Sequence, residues 1–154
     1  MLTFQGTNGS QPYGALARDG KGDLYGTTYG GGNLNDCNGG FGCGIVFELK
    51  PDGQEPILNV FTGGSTGWGP VAGLIRDHKG DLYGTAALAG SGTDCCGVLF
   101  EVLPTGIENV LYTFTGAADG DSPDTDLTED AVGNLYGAAL GGTYGSGVIY
   151  KVRP

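Results

Sequence analysis

A repeat of about fifty residues is the feature that most constrains what this chain can fold into. The tripeptide Leu24-Tyr25-Gly26 recurs at residues 82–84 and 135–137, at spacings of 58 and 53 residues (82 − 24 and 135 − 82). A leucine, an aspartate and a glycine precede each copy in the same order. A second motif follows each copy, as Gly-Ile-Val-Phe-Glu-Leu at 44–49, Gly-Val-Leu-Phe-Glu-Val at 97–102 and Gly-Val-Ile-Tyr-Lys-Val at 147–152. Ordered anchors in three copies predict three tandem units of one supersecondary structure.

Each unit contains short strand-like segments, which we label A to D, separated by turn residues. They are A at 15–17, 74–76 and 126–128; B at 23–28, 81–86 and 134–139; C at 45–50, 98–103 and 148–153; and D at 57–61 and 109–114. Glycine occupies 33 of the 154 positions. Because the apolar residues between the glycines are clustered, we interpret the glycines as turns rather than as a sign of disorder.

The predicted fold is all-β, with three propeller-like, four-stranded antiparallel blades in one repeat domain over residues 1–154. The units span residues 12–63, 70–116 and 123–154, and residues 2–6 form a separate D strand. No segment shows helical periodicity. A β-solenoid or an open array of strands is the alternative architecture.

The ends of the sequence are offset by one strand from the boundaries of the repeat units. Residues 2–6, with Leu2, Thr3 and Phe4, match the D segments, whereas the third unit stops after its C segment. Three blades are too few for a closed propeller, which typically has about 4–8. We therefore expect the N-terminal strand of another chain to complete the third blade. The predicted acceptor strand consists of Val148, Ile149, Tyr150, Lys151 and Val152.

Such a joint pairs two different surfaces, so it produces a ring if the rotation closes and a filament or lattice if it does not. Two chains would supply six blades (2 × 3). The remaining alternative is that the sequence is a piece excised from a longer array.

The charge of the chain limits its partners. It carries 17 acidic and 7 basic residues, a formal net charge of −10. Nucleic acid is excluded, because binding it requires a basic face. No stretch approaches the roughly 20 apolar residues of a membrane span, so no membrane insertion is expected. The N-terminus shows no signal peptide, so a secreted protein would lack its leader in this sequence.

The four cysteines all lie in the B–C links. They are Cys37, Cys43, Cys95 and Cys96. The pairs occupy equivalent places in units one and two, which favours two disulfides, Cys37–Cys43 and a vicinal Cys95–Cys96. A zinc site is the alternative, although the spacing is not that of two C-x₂-C pairs.

An acidic run in unit three is a candidate cation site. Its members include Asp119, Asp121, Asp124 and Asp126. Carboxylate oxygens clustered in a turn suit Ca²⁺, but the spacing is not that of an EF-hand. A solvated acidic loop is the alternative. No other cofactor is indicated.

Aromatic side chains are candidates for sugar contacts. Trp68 lies in a Gly-rich loop that the repeat does not require, so we expect it to be available as a ligand contact. Tyr25, Tyr83 and Tyr136 could form a sugar-stacking platform, but their repeated position favours packing between blades. The single histidine, His78, falls in a turn, so no catalytic triad or metal–histidine site is expected.

The motifs Gly-Asp/Asn-Leu-Tyr-Gly-Thr and Gly-x-Val-Phe-Glu-Leu, with the Gly-rich run at 28–32, resemble a known bacterial family. It comprises the GloVer-type tandem repeats of choice-of-anchor extracellular proteins, and the resemblance covers residues 2–154. It implies a propeller-like fold and a secreted or cell-surface location, and it transfers no catalytic residue. We therefore predict an extracellular, self-assembling structural protein rather than an enzyme. A cell-surface module that binds carbohydrate or another ligand is the alternative.

Overall fold

The computed structural model describes residues 1–37, 39–90 and 96–154, without the side chains of residues 89 and 90. The described strands are β1 (Ala17–Arg18), β2 (Leu24–Thr28), β3 (Ile45–Leu49), β4 (Ile57–Val60), β5 (Ile75–Arg76), β6 (Leu82–Gly90), β7 (Cys96–Val102), β8 (Glu108–Thr113), β9 (Thr128–Glu129), β10 (Leu135–Ala139) and β11 (Val148–Val152). A three-residue 3₁₀ turn at Gly64–Thr66 is the helical segment in these residues. Within the described ranges, no helix is long and apolar enough to cross a membrane.

The strands form three antiparallel sheets, one for each repeat unit. Unit one has the order β1-β2-β3-β4, unit two β5-β6-β7-β8 and unit three β9-β10-β11. The all-β antiparallel prediction is confirmed, and the third sheet has the three strands that the sequence predicted for it. Among the described strands, no sheet closes on another. The A strands begin one or two residues later than the sequence predicted. All three pair with their B strands in the same register, as Ala17↔Tyr25, Ile75↔Tyr83 and Thr128↔Tyr136.

The glycine of each Leu-Tyr-Gly makes room for an aromatic ring. Gly26 pairs with Phe47 across the sheet, Gly84 pairs with Phe100, and Gly137 pairs with Tyr150. A Cβ at Gly84 would lie only 2.7 Å from the Phe100 ring. The repeat therefore pairs a glycine on strand B with an aromatic residue on strand C, because the ring packs over the glycine and needs the space that a side chain would fill.

The repeated aspartate before each B strand holds the A–B turn together. Asp77 Oδ1 accepts hydrogen bonds from the backbone amides of Lys79, Gly80 and Asp81, each at 2.9 Å. Asp130 accepts from both the backbone and the side chain of Asn134, and these bonds hold the pKa of its carboxyl well below its usual value. The aspartate is repeated because a turn needs a short side-chain acceptor for its free amides.

The core lies between neighbouring sheets. Val46 lies on the face of unit one that is turned toward unit two, which we call the outward face of the unit. It packs there into a buried cluster with Val98 and Phe100 of unit two. Leu99 on the outward face of unit two packs with Leu135 of unit three in the same manner. Each sheet thus covers one face of the sheet before it, and the third sheet leaves its own outward face without a neighbouring sheet among the described residues.

The outer strands of units one and two are joined by a polar contact. Asn59 Nδ2 donates to Glu108 Oε2 at 2.8 Å, while Glu108 Oε1 is buried without a hydrogen-bond partner. Burial raises the pKa of the Glu108 carboxyl, and the bond from Asn59 offsets part of that shift. The carboxylate is therefore less stable in the folded protein than in the unfolded chain.

We expect Glu108→Gln to raise the melting temperature at neutral pH. Folding favours the protonated carboxyl, so wild-type stability should fall as the pH rises above the ordinary glutamate pKa of 4.5. Glutamine keeps an acceptor for Asn59 and carries no charge, so its advantage should disappear below that pH. Thermal unfolding across a pH series measures this difference. Glu129→Gln, at an exposed carboxylate, is the control; an advantage of equal size there would contradict the explanation.

Candidate assembly interface

An aromatic pair joins each unit to the next. Phe61, just after β4, packs edge-on against Phe100 of unit two, with ring centroids 5.0 Å apart and an angle of 66°. Phe114, just after β8, packs against Tyr150 of unit three at 4.9 Å and 69°. Both phenylalanines are fully buried. The last residue of each D motif therefore inserts against the C-strand aromatic of the following unit.

The N-terminal segment makes the same contact with unit one. Phe4 packs edge-on against Phe47 at 5.3 Å and 66°, which nearly repeats the two pairs between units. The glycine two residues later has a positive φ in each motif, 94° at Gly6, 78° at Gly63 and 73° at Gly116. Phe4 therefore sits where the D motif of a preceding unit would place it.

A polar contact also joins the N-terminal segment to unit one, although its donor occupies a different place in the motif: Asn8 follows Phe4 by four residues, whereas Asn59 precedes Phe61 by two. Asn8 Nδ2 donates to Glu55 Oε2 at 3.0 Å, as Asn59 donates to Glu108 in the joint between units one and two. Glu55 and Glu108 occupy equivalent positions, six residues before Phe61 and Phe114. The residues at the N-terminus thus occupy both the apolar and the polar part of a unit-to-unit joint.

The prediction of a strand at residues 2–6 is not met, because the structure assigns no strand to Leu2, Thr3 or Phe4. Phe4 of this segment packs on Phe47 of the unit one sheet, and none of the described strands runs beside residues 2–4. A strand needs a partner for its backbone groups, and no described strand of this chain pairs with residues 2–4. Whether another chain supplies that edge stays a prediction.

At the opposite end of the chain, β11 presents an open edge and an open face. No described strand pairs with its second edge. Ile149 is 80% exposed, although its equivalents Val46 and Leu99 are fully buried by the following unit. The sequence of β11 is thus that of an internal C strand, and its outward residues lack the cover that the other two units have.

The cover of a following unit also determines how deeply the tyrosine of each B strand is buried. Tyr25 donates to Glu48 at 3.2 Å and lies beneath Arg76 of unit two, whose guanidinium carbon is 5.3 Å from the ring centroid. Burial and the Glu48 charge raise the pKa of Tyr25 to about 12. Tyr25 and Tyr83 are buried in the joints, which fits a packing role rather than a sugar platform.

Tyr136 is half-buried, because no described sheet packs on the outward face of unit three. Lys151 stands where the other units have glutamate and lies 5.5 Å from the Tyr136 ring centroid. The hydroxyl of Tyr136 donates instead to Asp130 Oδ2 at 2.9 Å. The outward face of unit three therefore carries an aromatic ring, a cation and an exposed isoleucine.

The expectation that Trp68 is available for a ligand is wrong. Its side chain is only 9% exposed and belongs to the core cluster between units one and two. Backbone pairing with Leu88 extends the β6 ladder and draws the loop inward, and the Tyr29 ring lies 6.0 Å away. The sequence could not reveal this, because the glycine-rich loop has no strand pattern of its own.

Three of the four candidate aspartates have separate partners in the structure. Asp119 accepts from Thr115 and Tyr112, and Asp126 Oδ1 accepts from the backbone amide of Gly73 at 2.6 Å. Asp121 pairs with Leu140 through the backbone, and Asp124 is exposed. In the described parts of the chain, no three acidic, histidine or cysteine side chains form a group that could hold a metal ion.

One predicted disulfide is confirmed. Cys37 and Cys43 are bonded and close the B–C link of unit one. The predicted Cys95–Cys96 bond includes residue 95, which lies outside the described residues. His78 is exposed in its turn, as predicted.

The contact of Phe4 with Phe47 was missed at the sequence level. The signal was present, because each D motif ends in phenylalanine and each C strand has an aromatic residue at the same position. Repeat alignment identifies equivalent residues, but it does not say which of them meet across units.

Comparisons with known proteins agree with this architecture. No curated protein matches the chain. A solved structure titled as a putative gluconolactonase is similar in fold, with a TM-score of 0.52 and 13% sequence identity. The match covers 89% of this chain and 48% of that one, so this chain spans about half of its length. The model of the Gloeobacter/Verrucomicrobia repeat matches residues 1–154, and the chain therefore belongs to that family.

Proposed function

We propose that this protein is an extracellular structural subunit whose copies join by β-strand exchange. Residues 2–4 of one copy add to the free edge of β11 in another and supply the missing fourth strand. The observation that carries the proposal is the packing of Phe4 on Phe47, which repeats the geometry of the two joints within the chain. Phe4 packs on unit one with nearly the same ring geometry as Phe61 and Phe114 have on the units that follow them.

The internal sheets predict the register of the exchanged strand. In unit one, Val60 pairs with Ile45 and Asn59 with Val46. In unit two, the equivalent pairs are Thr113 with Val98 and Tyr112 with Leu99. Transferred to the joint between copies, this register places Thr3 opposite Val148 and Leu2 opposite Ile149.

The proposed joint would also bury apolar surface. Ile149 would become covered by unit one of the neighbouring copy, as Val46 and Leu99 are covered within the chain. Fully burying such a side chain contributes roughly 1.5–3 kcal/mol. Added backbone hydrogen bonds would pair the free edge of β11. Unpaired strand edges are a recognised cause of uncontrolled association.

The extracellular assignment rests on the Cys37–Cys43 disulfide, because such bonds persist in oxidising compartments. The net charge of −10 fits a solvated protein outside the cell. The proposal includes no catalysis. The likeness to a putative gluconolactonase concerns the fold alone at 13% identity.

The test compares the assembly of three variants by light scattering and negative-stain imaging. Deletion of residues 1–6 should abolish assembly, because it removes the donated strand. Ile149→Asp should do the same from the acceptor side, and its 80% exposure means that the fold should survive. Val132→Asp, at a 77% exposed turn residue, is the matched control and should assemble like wild type.

Circular dichroism would confirm that each variant is folded. The proposal is overturned if the folded deletion variant assembles as wild type does, or if the wild-type chain stays monomeric at every concentration.

A further inference from the structure

We infer that unit one carries a binding site for a neutral carbohydrate, formed by three aromatic side chains outside its sheet. These are Tyr13, Tyr29 and Phe41, which we call the aromatic cluster. Tyr13 precedes β1, Tyr29 follows β2, and Phe41 lies in the link before β3. The inference goes beyond the proposed function, because it does not depend on how copies join.

The three rings form one continuous group. The Tyr29 ring contacts the other two, with its centroid 6.1 Å from those of Tyr13 and Phe41 and with edge-on angles of 66° and 63°. Tyr13 is 63% exposed and Phe41 is 36% exposed. The hydroxyls of Tyr13 and Tyr29 form no hydrogen bond with any described residue. The group therefore presents apolar ring surface beside polar hydroxyls that a ligand can reach.

The fold of the repeat does not require these rings. Units two and three form their sheets without aromatic residues at the places of Tyr13 and Tyr29, where they have Val71, Ala87, Asp124 and Leu140. The packing of one unit on the next therefore does not account for the cluster. Exposed aromatic surface that the fold does not need indicates a binding site.

The cluster is packed against buried residues and close backbone. Trp68 of unit two is buried, and its ring centroid lies 6.0 Å from that of Tyr29. An added Cβ at Gly69 would lie 2.8 Å from the Tyr29 ring, and one at Gly30 would overlap the Phe41 ring. Both glycines thus leave the space that the rings occupy.

The disulfide constrains the segment that carries Phe41. Phe41 lies between Cys37 and Cys43, which are bonded to each other at a sequence separation of 6. Its backbone carbonyl accepts a hydrogen bond from the Gly31 amide at 2.8 Å. A ring that is already held in place loses little conformational freedom when a ligand binds, which favours affinity.

The charge of the surrounding sequence indicates the chemistry of the ligand. The segments that carry the rings, residues 1–17, 24–35 and 37–47, contain no charged side chain, although the chain has 17 acidic and 7 basic residues. Gln11 accepts a backbone hydrogen bond from the Tyr29 amide, and its own side-chain amide is exposed. An uncharged sugar fits these groups, because a pyranose places C–H groups against an aromatic ring and hydroxyls against amides and phenols.

The size of the cluster favours a small ligand over a protein. An aromatic side chain buries about 150–250 Å² when it is fully covered. Three such side chains, one of them already half-buried, offer less than the roughly 800 Å² that each partner contributes to a standard protein interface.

The test measures binding to the full chain by calorimetry and by the fluorescence of Trp68, the single tryptophan, which contacts Tyr29. The neutral probes are cellohexaose and xylohexaose, and hexagalacturonic acid is the charged probe of the same length. At least one neutral probe should bind, and hexagalacturonic acid should bind more weakly than that probe.

Two variants locate the site. Tyr13→Ala and Phe41→Ala should each weaken binding by about two- to tenfold, the effect of one aromatic contact. Both side chains are exposed, so circular dichroism should show folded protein. Tyr144→Ala is the matched control, because Tyr144 is 92% exposed and precedes Ser146 by two residues, as Phe41 precedes Cys43. It makes no ring contact with a described residue and should bind as wild type does.

The inference is overturned if neither neutral probe binds, if hexagalacturonic acid binds more tightly than both, or if the two cluster variants bind as wild type does. Light scattering separates it from the proposed function. Both cluster variants should assemble as wild type does, and lost assembly with unchanged binding would mean that the cluster belongs to the joint between copies instead.

Discussion

Phe100→Ala should cost about 3–5 kcal/mol of unfolding free energy, the range for removing a buried phenylalanine side chain. Phe100 is fully buried, and its ring packs edge-on against Phe61 from unit one. The same ring fills the place above Gly84, which has no side chain with which to close the cavity. Because a typical domain is stable by only about 5–15 kcal/mol, the variant should lose a large share of its stability.

Equilibrium unfolding in urea measures this loss. Tyr144→Ala removes an aromatic ring that is 92% exposed and serves as the control; it should change stability by less than about 0.5 kcal/mol. A cost below about 1 kcal/mol for Phe100→Ala would mean that the aromatic joint between units one and two does not hold the sheets together.

Gly44→Ala should destabilise the protein by about 3 kcal/mol or more, because two effects add. Gly44 precedes β3 with a φ of 98°, a conformation that side chains rarely adopt. An added Cβ would also overlap the backbone oxygen of Thr28 and lie 2.9 Å from Pro70 Cδ. Neither the carbonyl nor the proline ring can rotate away.

Two other glycines separate strain from overlap. Gly53 has a φ of 87° and nothing within 4 Å of the added Cβ, so Gly53→Ala should show strain alone, about 1–2 kcal/mol. Gly147 is the repeat equivalent of Gly44, with the same φ of 98°, but its nearest atom lies 3.3 Å away. Urea unfolding should therefore rank Gly44→Ala as clearly the most costly. Equal costs for Gly44→Ala and Gly147→Ala would show that overlap with Thr28 plays no part.

The strands were predictable where their residues are repeated. The B, C and D segments appear close to their expected positions, because alternating burial against a neighbouring sheet leaves a pattern in every copy. The aspartate of each turn was visible for the same reason. The Cys37–Cys43 bond was predicted because the two cysteine pairs occupy equivalent places in units one and two.

The candidate interface was only partly predictable. The open edge of β11 follows from counting the segments of each unit, so the sequence located this edge. It could not show that Phe4 rests on Phe47, because that contact joins segments more than forty residues apart (47 − 4 = 43). The burial of Trp68 was missed because a loop's path depends on the sheets that it crosses.

What the sequence alone determined is the threefold repeat, its phase and the strand content of each unit. These are local properties: turn residues, alternation and a glycine opposite an aromatic ring recur at set spacings. The tertiary structure decided which faces meet, which side chains are thereby buried and which end remains uncovered. Ile149 and Leu99 are similar apolar residues at equivalent positions of the repeat, yet Ile149 is exposed and Leu99 is fully buried. Only the presence or absence of a neighbouring sheet distinguishes them, because burial is a property of the packed arrangement.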